Sequence, residues 1–159
     1  MSLHINHIWE MVMSPLDNYQ TVYQSMKSIS LHLDNGEKSL FSRFGLTTSR
    51  FFVLKHLKDH PGINYIDLSE LLLCTKGNTT RIIQGMINDD LIYRLENPED
   101  RRSFQLFLSK SGEQVYKEVS LEYQEYVKEM LSKLNEDQLE EFRKISSSIE
   151  KELSNAVYG

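Results

Sequence analysis

The sequence predicts a mainly helical chain interrupted by one small β-hairpin. Three observations indicate this class. Long stretches carry apolar residues at helical spacing, two short runs alternate between residues 91 and 108, and three prolines and seven glycines in 159 residues leave little room for long loops. Apolar residues make up 40% and charged residues 26%, so the chain has the means to bury a core as one unit over residues 1–159. No apolar run approaches the roughly 18 residues that a membrane span needs. The N-terminus lacks a basic region followed by an apolar stretch. A lone cysteine, Cys74, cannot build an internal disulfide framework. These features suit a cytoplasmic protein with no membrane partner.

Taken in order, residues 15–33 read as a helix. Ser14-Pro15 supplies a cap and first position, and Leu16, Tyr19, Val22 or Tyr23, Met26, Ile29 and Leu33 recur at helical spacing. Ile5, Ile8, Trp9 and Val12 continue the period upstream, which implies an earlier start with a kink near Pro15. Asp34-Asn35-Gly36 reads as a breaker, followed by a short helical piece ending at Gly45. Thr47 caps a second helix with Phe51, Leu54 and Leu57 on one face, stopped by Pro61-Gly62. Residues 66–73 form a short third helix burying Leu68, Leu71 and Leu72. A tight turn at 73–75 leads to a fourth helix over about 76–89, capped by Thr75. Leu91, Tyr93 and Leu95, then Phe104, Leu106 and Leu108, alternate as the inward faces of two strands. The charged stretch Asn97–Arg102 forms a long hairpin tip between them. Ser109 caps a long fifth helix carrying Tyr116, Val119, Tyr123, Tyr126 and Met130; Asn135 caps a sixth carrying Leu139, Phe142, Ile145, Ile149 and Leu153.

The order is helix-turn-helix, two-stranded wing, then helices. Residues 46–110 form the winged helix-turn-helix lobe; residues 1–45 and 111–159 are longer than the packing of so small a lobe requires. Their surplus apolar stripes imply a helical dimerisation region, with a second copy as the simplest cover.

The fourth helix carries the functional argument. At about 100° per residue, Thr79, Ile82, Ile83 and Met86 cluster toward the core, and Gly77, Arg81, Gln84 and Asn88 face away, flanked by Thr80 and Gly85. That outward face holds no acid, although the chain carries a net charge of −5. Arginine forks onto guanine, and glutamine or asparagine onto adenine, so these residue types suit a major groove; an ordinary solvated helix face is the plainer alternative. Residues 75–104 hold five basic and five acidic groups, so the least acidic part of the molecule contains this helix. At the hairpin tip Arg101 and Arg102 suit phosphates or a narrow minor groove, and Asp100 is placed to hold Arg102 by a bidentate pair; a solvated charged turn is the alternative there.

The continuous stretch from Leu68 to Arg94 resembles the helix-turn-helix of the MarR family. Asn97-Pro98-Glu99-Asp100-Arg101-Arg102, then Leu108-Ser109 and Gly112, resembles that family's wing and the start of its next helix, and Leu46-Thr47 its second helix. The resemblance covers residues 46–112; the flanking helices match in length and order only. It implies a dimeric, double-stranded-DNA-binding transcriptional regulator, commonly a repressor. Thr75, Lys76, Gly77, Asn78, Thr80, Arg81 and Gln84 become the recognition helix, and Arg102 the wing arginine anchored by Asp100, beside Arg101. It also implies a possible small aromatic or anionic effector near the long helices, where Tyr19, Tyr23, Tyr116, Tyr123 and Tyr126 lie; simple core packing is the favoured reading of these tyrosines. Two positions depart from the family: Asp90 replaces a glycine before the first strand, a turn aspartate tolerates, and Arg50 stands where glutamine is common.

Other chemistries find little support. Cys74 reads as a structural residue; oxidation beside the recognition helix is its other possible use. MarR-like peroxide sensors carry the reactive cysteine in the first helix, which here has none. His56/His60 and His4/His7 have metal-compatible spacing without completing ligands, so no metal and no cofactor is expected. Phosphate loops, nucleophile elbows and paired catalytic carboxylates are absent from the sequence, so no catalytic residue is assigned. The competing function is a winged-helix protein-interaction module without specific DNA binding, favoured by the net charge of −5.

Overall fold

The computed structural model describes residues 15–100 and 102–158. The upstream helix extension, the His4/His7 pair and Arg101 therefore lie outside the described residues. The element order is α1 (Pro15–Ser42), α2 (Thr48–Asp59), α3 (Tyr65–Leu71), α4 (Lys76–Asn88), β1 (Ile92–Glu96), β2 (Phe104–Leu108), α5 (Lys110–Leu131) and α6 (Glu136–Tyr158). No helix among the described residues is long and apolar enough to cross a membrane.

Side-chain caps start the helices where the sequence places them. Thr47 accepts from the Arg50 N–H, Thr75 from Asn78 and Ser109 from Gly112. Asn135 and Gln138 exchange side-chain and backbone bonds in a reciprocal box at the start of α6. Asn64 caps α3 by accepting from Ile66 and Asp67, a cap not anticipated from the sequence.

Three helices end in one device. The N–H two residues past the C-cap bonds back to the carbonyl five residues earlier, and the residue before it takes a left-handed backbone. In α1 this pairs the Leu46 N–H with the Phe41 carbonyl, with Gly45 at φ +67°. In α3 it pairs Cys74 with Ser69, with Leu73 at φ +50°; in α4 it pairs Leu91 with Met86, with Asp90 at φ +55°. The aspartate thus takes the left-handed turn that the sequence expects of it.

One apolar core draws on Phe41 from α1, Phe51, Val53, Leu54 and Leu57 from α2, Leu68 from α3, Ile83 and Met86 from α4, Ile92 and Leu106 from the hairpin, and Val119 from α5. Stacked Phe41 and Phe51 rings, 4.3 Å apart, join α1 to α2, and Tyr123 closes on both.

Three sequence expectations need correction, and one pairing is added. Asp34-Asn35-Gly36 does not break α1, which runs through it. The Tyr126 ring of α5 occupies the space a Cβ at Gly36 would fill, so the glycine permits close helix packing. Leu71 is exposed rather than buried, because α3 is a single short element with Leu68 as its core contact. The inward phase of β1 is Ile92, not Leu91, Tyr93 and Leu95: Leu91 completes the turn after α4, and Tyr93 and Leu95 are 44% and 52% exposed. Register sets this, since Ile92 opposes Leu108 and Arg94 opposes Leu106, which lies in the core. Tyr93 stacks on Phe107 on the outer face. Finally, the hairpin gains a third partner: Gly62 donates to the Leu106 carbonyl, and Leu106 donates to Ile63.

Candidate nucleic-acid interface

The interface is built from α4 outward. Thr79, Ile83 and Met86 are fully buried and Ile82 is half-buried, so the inward face is as the periodicity requires. Gly77, Thr80, Arg81, Gln84 and Asn88 are exposed on the other side, together with Lys76. No acid occurs between Lys76 and Asn88. The buried Thr79 hydroxyl donates to the Thr75 carbonyl, so the helix carries no unpaired polar group inward there.

Neighbours order the outward side chains. Arg81 Nη2 donates to Asn78 Oδ1 at 3.2 Å, and Gln84 Nε2 donates to Asn88 Oδ1 at 3.0 Å. Asn78 is only half-exposed and also reaches the Cys74 sulfur at 3.7 Å. Thr75 serves the helix as its cap, and Thr80 donates its hydroxyl to the Lys76 carbonyl at 2.9 Å. Arg81, Gln84 and Asn88 thus form a polar row of donors and acceptors, one turn apart, fit to meet base edges.

The wing tip is ordered by Asp100, in a different way from that expected. Its carboxylate accepts from the Arg102 backbone N–H at 3.0 Å rather than from the guanidinium. Its carbonyl accepts from both the N–H and the hydroxyl of Ser103, and the Asn97 N–H donates to the Ser103 carbonyl. A short aspartate side chain satisfies a backbone donor two residues on more readily than it reaches the end of a long arginine. The Arg102 side chain is exposed and has no carboxylate partner among the described residues. Nearer the body, Arg94 lies over the Phe104 ring at 4.4 Å, a cation–π contact that stiffens the hairpin.

One residue that sequence reasoning left without a role stands out. Arg50 of α2 pairs with Asp89, the C-cap of α4. Its place in the sequence, 39 residues away, gave no signal of this contact.

The MarR family model matches residues 46–104, the segment that holds α2, the helix-turn-helix, β1 and the hairpin tip as far as the first residue of β2. That segment is similar to the MarR family. The chain is 23% identical over 143 residues to the HTH-type transcriptional regulator YsmB of Bacillus subtilis, covering 90% of this chain and 98% of YsmB. Its fold is shared with a mutant MarR of E. coli solved with operator DNA, at a TM-score of 0.76 and 18% identity, over 86% of this chain and 99% of that one. It is likewise shared with the S. aureus MepR–DNA complex, at a TM-score of 0.75 and 20% identity, over 82% and 96% of the two chains. By its place in that fold, α4 is the second helix of the helix-turn-helix and β1–β2 is the wing.

The remaining candidates separate by position. Cys74 is half-buried in the turn before α4. His56 is held below the usual histidine range, first by burial and then by the Lys55 charge, so it favours the neutral form. No cluster of three or more metal-ligating side chains occurs among the described residues. Tyr116, Tyr123 and Tyr126 pack against the core, whereas Tyr19 and Tyr23 are exposed on α1. A cleft of about 440 Å³ between the end of α2 and the start of α5 is lined by Lys58, Lys110, Glu113, Gln114, Tyr116, Lys117 and Ser120, with Lys58 paired to Glu113 at 3.6 Å.

Proposed function

We propose that this chain is a MarR-family, sequence-specific DNA-binding transcriptional regulator that acts as a homodimer on a pseudo-palindromic operator. The observation that carries this reading is the acid-free outward row of α4, with Arg81, Gln84 and Asn88 exposed, Arg81 ordered by Asn78 and Gln84 by Asn88. The two relatives solved with DNA support it at the level of fold. Thr75, Lys76, Gly77, Asn78 and Thr80 frame the start of the recognition helix. Arg101 and Arg102, on the tip that Asp100 organises, contact phosphates or the flanking minor groove.

The winged lobe, residues 46–110, is carried by a helical dimerisation region formed from residues 1–45 and 111–159. Exposed apolar side chains on α1 (Tyr19, Val22, Ile29) and α6 (Phe142, Ile145, Leu153) support the dimer. Two recognition helices then enter successive major grooves about one helical turn apart. Bound at a promoter, the dimer blocks polymerase and acts as a repressor. A small aromatic or anionic effector relieves repression by favouring a dimer with wrongly spaced recognition helices. The cleft beside Tyr116, where Lys110 and Lys117 stand with the Lys58–Glu113 pair, is the candidate place for such a molecule. The site of action is the cytoplasm, where the operator lies.

Fluorescence anisotropy on duplex DNA from upstream of the chain's own gene, against a scrambled duplex, tests the reading. Affinity for the preferred duplex falls by about a thousandfold or more between roughly 50 and 200 mM salt if six or more phosphates are contacted. Arg102→Ala weakens binding to both duplexes and reduces the salt slope by about one, whereas Arg81→Ala and Gln84→Ala change sequence preference by about 1–3 kcal/mol. Uniformly weak binding, at low salt and across other promoters, overturns this reading in favour of a protein-interaction module, the alternative that the net charge of −5 favours.

A further inference from the structure

We propose that Arg50 is a positioning residue for the recognition helix, gripping its C-terminal end through Asp89; this rests on the DNA-binding reading above. The pair is notable for where each charge sits. Arg50 lies in the first turn of α2, a positive helix end that favours an acid, and no acid occurs in that turn. Asp89 caps the negative end of α4, which favours a base, and no base occurs in its last turn. Each charge opposes the dipole of its own helix and is satisfied by the other, Arg50 Nη2 donating to Asp89 Oδ2.

Gly85 supplies the space. It lies one turn before Asp89, in the interior of α4, where glycine is the poorest helix former after proline. A Cβ there would come within 3.2 Å of Arg50 Nη2. The guanidinium thus lies close over the backbone of α4 and is the less exposed member of the pair, at 24% against 54% for Asp89.

This grip bears on the half of α4 that carries Gln84 and Asn88, neighbours in sequence of Gly85 and Asp89. Base-edge hydrogen bonds tolerate only small errors in distance and angle, so a helix free to tilt loses sequence discrimination. General attraction to phosphates depends little on tilt and survives. The same pairing neutralises Asp89 at the end of a helix that approaches a polyanion.

The test compares wild type, Arg50→Gln, Asp89→Asn and the exchange Arg50→Asp/Asp89→Arg. Each is titrated with a duplex that wild type selects from a random-sequence pool and with a scrambled duplex, at several salt concentrations, beside a thermal melt. Each single variant is expected to lower the ratio of selected to scrambled affinity by about tenfold, the size of one weakened base contact. The salt slope and the cooperative melt stay as in wild type. The exchange restores the ratio, and it places both charges at the helix ends their dipoles favour, so it remains informative if a single variant folds poorly. Single variants with the wild-type ratio overturn the proposal. So does Asp89→Asn that tightens both duplexes alike, since Arg50 would then be a phosphate ligand released from its partner. Wild type that selects no sequence overturns the DNA-binding reading itself, and this inference with it.

Discussion

Leu73 shows what a single residue contributes to this fold. It occupies the left-handed position that ends α3 and aims the chain into α4, at φ +50°. A left-handed backbone costs an L-residue roughly 1–2 kcal/mol, and Leu73 is 76% exposed, so little buried surface offsets that cost. Gly45 fills the equivalent position after α1 without strain. Leu73→Gly is therefore expected to stabilise the chain by on the order of 1 kcal/mol, somewhat less than the strain because glycine loses more freedom on folding. Urea unfolding reads this as a higher midpoint at an unchanged slope; an unchanged or lower midpoint would show that the leucine side chain does more than its exposure suggests.

Between elements, the contact of α1 with α5 carries a pH signature. The Tyr123 hydroxyl donates to Glu37 at 3.3 Å. Burial, followed by the Glu37 charge and this bond, pushes the Tyr123 phenol up to about 12. Burial also lifts Glu37 above the usual carboxylate range, opposed by the Tyr123 bond and aided by the Asp34 charge. Both groups favour their protonated form in the fold. The stability linked to Tyr123 is present below its unfolded value near 10 and is lost as pH rises toward about 12. Ultraviolet titration of tyrosinate in the folded chain should show one late-ionising tyrosine that disappears in Tyr123→Phe, and that variant should lose less stability between those two values. A late component that persists in the variant would assign it to another tyrosine.

At the scale of the whole molecule the apolar surface is unevenly spent. The core is continuous from α1 through the wing to α5, yet among the described residues no other element packs extensively against α6. Phe142, Ile145 and Leu153 remain exposed along it. A contiguous stripe of this kind marks an association surface, and a second copy is the cover proposed above. Sedimentation equilibrium is expected to give a dimer for wild type. Phe142→Asp/Ile145→Asp should give a monomer that binds operator DNA far more weakly, because each half-site then binds alone. Wild type that sediments as a monomer at micromolar concentration would remove the two-fold operator from the proposed mechanism.

The sequence by itself determined what local chemistry decides: the caps Thr47, Thr75, Ser109 and Asn135, the left-handed turn at Asp90, and the inward Thr79, Ile83 and Met86 of α4. These depend on groups within a turn or two of one another, so their pattern is written along the chain. The outward row of Arg81, Gln84 and Asn88 was legible for the same reason, as the complement of a buried face. Only the tertiary structure decided the continuity of α1 through Gly36, the phase of β1, the third pairing at Ile63 and the Arg50–Asp89 grip. Each of these turns on a partner far away in sequence: the Tyr126 ring against Gly36, Leu106 fixing which residues of β1 face inward, and a carboxylate 39 residues from its arginine. Periodicity reports that a strand alternates or a helix has two faces, but not which distant group arrives to choose between them.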